Sequence, residues 1–289
     1  MIISAQLEAN CRKRPERTAW LSRLPALLDE FAQRWSLRIG PPFSHACVTC
    51  SWVAPVIRAD GSPATLKLAM PHMEGEHEIA GLRYWNGNPT VMLLAADDER
   101  GAMLLEQCCP GTTLNEIPEP DQDRAIAALA RRLWRSDPPA NAPATFRPLS
   151  ALLGLWRTET LEQRPFWPDE GLVNQGLALF QELSAPAERD TLLSTDLHAG
   201  NVLRAEREPW LVVDPKPFFG DPVYDLVQHL INCEQRLHHD PIGLVHRLAD
   251  LAEVDALRLR LWTFARAAAD PRDNWRNTSW LDIARALAP

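Results

Sequence analysis

Three oxygen-bearing side chains at fixed spacing, inside a short strand–turn–strand unit, constrain this sequence more than any other feature. Asp196 and Asn201 are separated by four residues, and Asp214 follows Asn201 by 13 residues, directly after the apolar run Trp210–Val213. Asp and Asn are common in turns, so each residue alone would indicate only a polar loop. The three together, with the flanking hairpin, indicate a loop built for chemistry.

This spacing is the one that phosphoryl-transfer enzymes use in the loop D-x-x-x-x-N, followed by a metal-binding Asp after the next strand. Phosphoryl transfer needs a carboxylate that orients the acceptor hydroxyl and accepts its proton, which is the role expected of Asp196. Mg²⁺ prefers hard oxygen ligands, and Asn201 and Asp214 would supply an amide oxygen and a carboxylate. The sequence therefore predicts use of ATP and Mg²⁺.

Lysine is rare in this chain, which makes its positions informative. Three of the 30 basic residues are lysines, namely Lys13, Lys67 and Lys216. Lys67 lies in the middle of the apolar run Ala64–Ala69 and needs an anionic partner if it is buried, because burial of an unpaired ammonium is very unfavourable. Glu78 is the expected partner and Glu74 the alternative. A lysine facing water on an edge strand is the competing interpretation.

The order of predicted elements favours an α+β chain with two lobes. Helical spacing over residues 18–37 precedes strands over 48–57 and 64–69, a helix over 74–85, and strands over 90–95 and 102–106. Helices are predicted from residue 122 onward, over 122–135, 150–163, 171–183, 223–236, 241–251 and 256–269, with a strand–turn–strand unit over 191–214 among them. We predict an N-terminal nucleotide-binding lobe over residues 1–107, with a helical extension over 1–40, and a catalytic and substrate-binding lobe over 108–289.

Several segments resemble the aminoglycoside phosphotransferase superfamily, and within it the streptomycin 6-phosphotransferase and hydroxyurea kinase branch. They are Val56–Gly61 leading into Leu66-Lys-Leu, Met103–Gln107, Ala205–Lys216 and Gly220–Leu226. The resemblance extends over nearly the whole chain. It implies a protein-kinase-like bilobal fold, with a small β-rich N-lobe containing one main helix and a larger, mainly helical C-lobe.

The resemblance also implies roles for individual residues. Asp196 would be the catalytic base, Asn201 and Asp214 the magnesium ligands, Lys67 the phosphate-binding lysine with Glu78 as its partner, and Glu106, Gln107 and Cys108 the hinge beside the adenine.

Three further residues are candidates for substrate contact, each with a structural alternative. Asp225 could line an acidic pocket or support the catalytic loop, and the nearby Asp221 fits a structural role at a turn and helix start. His198 could act on substrate, although a histidine that stabilises the loop is the more common case. Lys216 could contact phosphate or substrate, or be an exposed lysine.

Two departures from the family pattern keep a second interpretation open. Ser194 stands where the family has a histidine that props the loop, and residues 44–51 lack the glycines of a phosphate-binding loop. A kinase-like protein that binds nucleotide with little activity is therefore an alternative.

The expected acceptor is a small, cationic hydroxyl compound, with streptomycin as the first candidate and resistance as the purpose. Another small alcohol, a sugar or a hydroxyurea-like metabolite is the alternative. The net charge of −8 argues against nucleic acid and anionic membranes as partners. The sequence contains neither a long apolar run nor a signal-like N-terminus, so we expect a cytoplasmic protein. We expect it to act as a monomer or dimer. The spacing of Cys47 and Cys50 suits a metal or redox site, but ordinary reduced thiols are the favoured interpretation.

Overall fold

The computed structural model describes residues 2–43, 50–134 and 145–289. Two compact units make up the chain. The first contains residues 1–113 and 203–215, and the second contains residues 114–202 and 216–289. The sequence prediction placed a single boundary after residue 107, whereas the first unit continues to residue 113 and includes a later segment.

A five-stranded antiparallel sheet forms the centre of the first unit, with strand order β1-β2-β3-β5-β4. Its strands are β1 (Arg38–Ile39), β2 (Ser51–Ile57), β3 (Pro63–Ala69), β4 (Leu93–Asp97) and β5 (Ala102–Glu106). A turn at 58–62 joins β2 and β3, where Gly61 has a φ of +85° that a residue with a Cβ would adopt only with strain. This register places Lys67 between Val53 and Met103, on the central strand of the sheet.

Apolar side chains cover both faces of this sheet. On one face, α1 (Ala5–Arg12) and α2 (Pro15–Arg34) pack against alternate β3 residues such as Leu66 and Leu68. On the other face, α3 (Glu78–Trp85) contributes Ile79 and Leu82 to a cluster with Met103. Cross-strand neighbours share a face. Lys67, opposite Met103, therefore lies on the α3 side.

The segment 203–215 belongs to the first unit through backbone pairing. It begins in β7 (Val202–Leu203) and contains β8 (Leu211–Val212). The Val212 amide donates to the Pro89 carbonyl (3.0 Å), and the Val91 amide donates to the Val212 carbonyl (3.0 Å). Leu211 completes the apolar cluster on the α3 side. Asp214, two residues after β8, is thereby fixed to the first unit.

Helices dominate the second unit. They are α4 (Glu119–Trp134), α5 (Leu149–Glu162), α6 (Glu170–Leu183), α7 (Tyr224–Asn232), α8 (Glu234–His239), α9 (Pro241–Ala252), α10 (Ala256–Ala269) and α11 (Ser279–Leu287). The strands β6 (Thr191–Leu193) and β9 (Phe218–Gly220) pair antiparallel beside them. α10 packs against α6 so closely that a Cβ on Gly176 would lie 2.9 Å from the Ala268 Cβ. The buried end of α10 forms the centre of this helical core.

The structure agrees with most of the predicted elements and differs at a few. α10 spans the predicted 256–269, whereas the single helix expected over 223–236 is divided at Cys233 into α7 and α8. α11 was not predicted. Cys47 and most of the glycine-free segment 44–51 lie outside the described residues, whereas Cys50 is described and is a free thiol, as expected. None of the described helices is both long and apolar enough to cross a membrane.

Candidate active site

Lys67 is the centre of an ionic cluster in the first unit. Its Nζ donates to Glu78 Oε1 (2.5 Å) and to Asp214 Oδ1 (2.5 Å). Glu78 begins α3, and it is Glu78 rather than Glu74 that Lys67 contacts. The Lys67 and Glu78 side chains are 6% and 2% exposed, whereas that of Asp214 is 34% exposed. One ammonium therefore holds two carboxylates, of which only Asp214 is substantially open to solvent.

The backbone at Asp214 has a conformation that is unusual for a residue with a side chain. Its φ is +53°, in the left-handed region. Asp is among the few non-glycine residues that tolerate this region. A strained backbone conformation persists only where surrounding contacts hold the residue in place. At Asp214 these contacts are the ion pair with Lys67 and the backbone pairing of β8.

The three hinge candidates lie at the end of β5, with Glu106 as its last residue and Gln107 and Cys108 directly after it. Glu106 ends the strand, and its carboxylate accepts hydrogen bonds from the Met92 amide (3.0 Å) and from Arg207 Nη2 (2.9 Å). Burial alone would raise the pKa of Glu106, but these hydrogen bonds outweigh it and hold the pKa below its usual value. Among the described residues, the backbones of Gln107 and Cys108 make no backbone–backbone hydrogen bond outside regular elements. Burial raises the pKa of the Cys108 thiol to about 12, so it stays protonated at neutral pH.

Arg207 is a residue of this region that sequence reasoning missed. Besides binding Glu106, it donates to the Gly87 carbonyl (2.8 Å) and to the Thr90 carbonyl (3.0 Å). It thus joins the segment 203–215 to the turn before β4 and to the end of β5. No local signal distinguishes it from the other arginines of the chain.

In the second unit, Asp196 is held by two neutral amides. Asn201 Nδ2 donates to Asp196 Oδ2 (3.0 Å), and Gln228 Nε2 donates to Asp196 Oδ1 (3.1 Å). Asn201 also donates to the Asp196 carbonyl (3.1 Å), again through Nδ2. The Asn201 Oδ1 is therefore the atom with which this side chain could ligate a cation. Gln228 was not among the residues expected at the site.

The backbone before Asp196 is fixed by Asp225, which is fully buried. Its carboxylate accepts from the amides of Ser194 (3.1 Å) and Thr195 (2.7 Å) and from Trp134 Nε1 (3.0 Å). Burial raises the pKa of Asp225 to about 6, and these three hydrogen bonds limit the rise. Of the two roles left open for Asp225, this placement favours support of the loop over contact with substrate.

The other loop candidates also make structural contacts. The Gly200 amide donates to His198 Nδ1 (3.1 Å), which favours the loop-stabilising role for His198, and His198 Nε2 lies 3.7 Å from Asp196 Oδ1. Lys216 is buried, so the interpretation as an exposed lysine is wrong. Its amide donates to the Ser194 carbonyl (2.7 Å), and its carbonyl accepts from Thr195 Oγ1 (2.5 Å).

Ser194, which replaces the family's histidine, is fully buried, and its Oγ has no hydrogen-bond partner among the described residues. The loop backbone is nevertheless held at this point by Asp225 and Lys216. Asp221, expected to be structural, accepts from Trp262 Nε1 (2.7 Å) and from Arg258. Lys216 and Asp225 therefore support the loop, whereas Asp221 anchors the segment before α7 to α10.

Residues 34–274 match the family of aminoglycoside/hydroxyurea antibiotic resistance kinases. The chain belongs to this family. It is 37% identical over 263 residues to a streptomycin 6-kinase of Streptomyces glaucescens, covering 87% of this chain and 83% of the relative. It is 36% identical over 248 residues to a hydroxyurea phosphotransferase of Kitasatospora aureofaciens, covering 84% of this chain and 71% of the relative. The resemblance found in the sequence is confirmed, and the chain is a phosphotransferase that acts on hydroxyl groups.

Solved structures show the same fold. The choline kinase LicA from Streptococcus pneumoniae matches with a TM-score of 0.62 at 13% identity, over 93% of this chain and 92% of that one. A spectinomycin phosphotransferase in complex with ADP and spectinomycin matches with a TM-score of 0.54 at 12% identity, over 92% and 94% of the two chains. The predicted protein-kinase-like α+β fold is thereby confirmed.

Proposed function

We propose that this protein transfers the γ-phosphoryl group of ATP to a hydroxyl of an aminocyclitol antibiotic, with the 6-hydroxyl of streptomycin as the first candidate, and so confers resistance. The observation that carries the proposal is the amide-held Asp196 of a D-x-x-x-x-N loop, in a chain 37% identical to a streptomycin 6-kinase. The enzyme would act in the cytoplasm as a monomer or dimer.

In this proposal Asp196 orients the acceptor hydroxyl and accepts its proton as the oxygen attacks the γ-phosphorus and ADP leaves. Its partly exposed carboxylate, held at both oxygens, suits this role. Lys67 would bind the α- and β-phosphates while Glu78 holds it in place. The backbone of Gln107 and Cys108, with the preceding Glu106, would meet the adenine.

The donor set fits magnesium. Asp214 offers a carboxylate that remains partly exposed beside Lys67, and Asn201 offers its amide oxygen. Among the described residues no three His, Cys, Asp or Glu side chains are grouped to hold a metal. A cation that shares its ligands with ATP phosphates needs only a few protein oxygens. Bound magnesium would neutralise charge that develops on the phosphates during transfer.

A second acceptor follows from the hydroxyurea phosphotransferase, which is 36% identical to this chain. Hydroxyurea also carries a hydroxyl group, but it has no cationic groups. The two candidates therefore differ in the charge that the substrate site must recognise. His198, Lys216 and Asp225 remain substrate-contact proposals of lower priority, because each already has a structural contact in the second unit.

The test is release of ADP by the purified protein with Mg-ATP and, separately, streptomycin, hydroxyurea and a panel of small alcohols. We expect turnover with streptomycin, and we expect Asp196→Ala to lower kcat by at least about 10³-fold while nucleotide binding persists. Turnover with hydroxyurea or another alcohol alone would overturn the antibiotic assignment and keep the kinase. Binding of Mg-ATP without turnover on any acceptor would favour the nucleotide-binding alternative.

A further inference from the structure

One side of α7 contacts both the backbone and the side chain of the catalytic loop. Asp225 and Gln228 are three residues apart, a spacing that places side chains on the same side of a helix. Asp225 accepts from the Ser194 and Thr195 amides, immediately before Asp196. Gln228 donates to the Asp196 carboxylate itself at 3.1 Å. The same helix thus controls the position of the loop and the direction of its carboxylate.

The orientation of the Gln228 amide is determined by a cation on its other side. Arg266 Nη1 donates to Gln228 Oε1 at 3.0 Å. A guanidinium can only donate and an ionised carboxylate can only accept, so Oε1 must face Arg266 and Nε2 must face Asp196. A flipped amide would lose both hydrogen bonds at once. Arg266 therefore selects the one Gln228 orientation that can hold Asp196.

Arg266 is itself held on several sides. It is 6% exposed, and its Nε donates to Asp270 Oδ2 at 2.6 Å. Its guanidinium lies over the Trp156 ring, 4.7 Å from the centroid. A buried, paired and stacked guanidinium has little rotational freedom. The contacts form a continuous chain from Asp270 on one end to Asp196 on the other.

We propose that Gln228, oriented by Arg266, is a positioning residue for Asp196: it holds Oδ1 while Asn201 holds Oδ2, which fixes the carboxylate toward the acceptor hydroxyl. This inference rests on the proposed function. A neutral amide suits the task, because a cation so close would stabilise the charged carboxylate and weaken it as a proton acceptor. Gln228 thus fixes direction with less loss of basicity than a lysine or arginine would cause.

Two substitutions separate this role from simple packing. Gln228→Glu keeps the acceptor for Arg266 but replaces the donor facing Asp196 with a second carboxylate. Gln228→Met keeps the approximate size and removes both functions. We expect kcat to fall by about 10- to 100-fold in both variants, since misplacement of a reacting group by about 1 Å has effects of that size. The KM for ATP should stay within about threefold of the wild-type value.

The kcat of Gln228→Glu distinguishes a positioning role from a packing role. A residue that serves packing alone would tolerate Gln228→Glu, because its ion pair with Arg266 would strengthen. Unchanged kcat in Gln228→Glu would therefore overturn the proposal. Gln235→Glu, on the exposed side of α8, adds the same charge in the same unit and should leave kcat unchanged.

A crystal structure of Gln228→Glu decides the question without turnover. We expect the Asp196 carboxylate to rotate away from residue 228, and an unmoved carboxylate would count against the proposal. If the wild-type protein phosphorylates no acceptor, the proposed function fails, and the crystal structure still tests whether Gln228 positions Asp196.

Discussion

The two carboxylates expected at the centre of the chemistry are held in different ways. In the first unit, Asp214 shares the Lys67 ammonium with the buried Glu78. In the second unit, Asp196 is held by the amides of Asn201 and Gln228. One arrangement depends on charge and the other on neutral hydrogen bonds.

The difference corresponds to the task of each group. A buried ammonium requires anionic partners, and a group expected to meet phosphates and a cation benefits from a fixed charge. A proton acceptor must keep its affinity for a proton, which a direct ion pair would reduce. Substitutions that remove a charge should therefore have their largest effects around Lys67 and Asp214 in the first unit. Substitutions that disturb hydrogen-bond geometry should have theirs around Asp196 in the second unit.

The largest expected effect on stability is that of Lys67→Met. This change leaves the buried Glu78 carboxylate without its cation, and breaking a buried pair in this way destabilises a protein by about 3–5 kcal/mol. The free energy of unfolding, measured by urea titration, should fall by that amount. Lys13→Met, at an exposed lysine of the same unit, should change it little.

The Lys67→Met/Glu78→Gln double variant sharpens this test. Removing the uncompensated charge should restore part of the lost stability, although phosphate binding should stay impaired. A double variant no more stable than Lys67→Met would show that the loss comes from packing rather than from charge.

A smaller effect on stability is expected from Asp225→Asn in the second unit. The amide retains the size of the carboxylate, but its NH₂ group would face donors, leaving a buried N–H unsatisfied at about 1–3 kcal/mol. We expect kcat to fall by about tenfold or more as the loop shifts, with ATP binding less affected. Asp250→Asn, at an exposed position on α9, is the matched control. Wild-type kcat in Asp225→Asn would contradict the assignment of loop support.

The smallest expected effect is a change of stability with pH, and it comes from a buried ion pair of the second unit that does not contact Asp196. His229 Nε2 donates to Asp123 Oδ1 at 3.0 Å, and Arg236 also binds Asp123. Burial alone would lower the pKa of His229, but the hydrogen bond to Asp123 and the contact with Cys233 outweigh it and raise the pKa to about 9. His229 is therefore protonated in the folded protein at neutral pH.

The sign of the pH dependence follows from this raised pKa. The folded protein keeps a proton that the unfolded chain releases near pH 6.5, so the stabilisation is complete below that pH and is lost as the pH rises through about 9. Stability should fall by roughly 1 kcal/mol per pH unit in that window. His229→Gln should remove this slope, whereas His246→Gln, at an exposed histidine, should keep it. An unchanged slope in His229→Gln would assign the pH dependence to other groups.

The residues that sequence reasoning identified carry local signals. Lys67 is an ammonium in an apolar strand, and the spacing of Asp196, Asn201 and Asp214 matches a known loop. Gln228 and Arg266 carry no such signal, because Gln and Arg are common on helices. Only the three-residue interval from Asp225 to Gln228 could have suggested a shared helix face. The break at Cys233 also escaped prediction, since helix ends are weakly encoded in a single sequence.

The sequence by itself determined the order of strands and helices, the family and the residue types of the loop, because hydrophobic periodicity and motif spacing are properties of neighbouring residues. Tertiary structure alone decided which of these residues meet. Lys67 and Asp214 are 147 positions apart, and their contact requires the chain to return to the first unit at residues 203–215. The contact of Gln228 with Asp196 likewise depends on how α7 packs beside the loop. Such pairings are determined by burial and by the pairing of distant backbone segments, which no local pattern records.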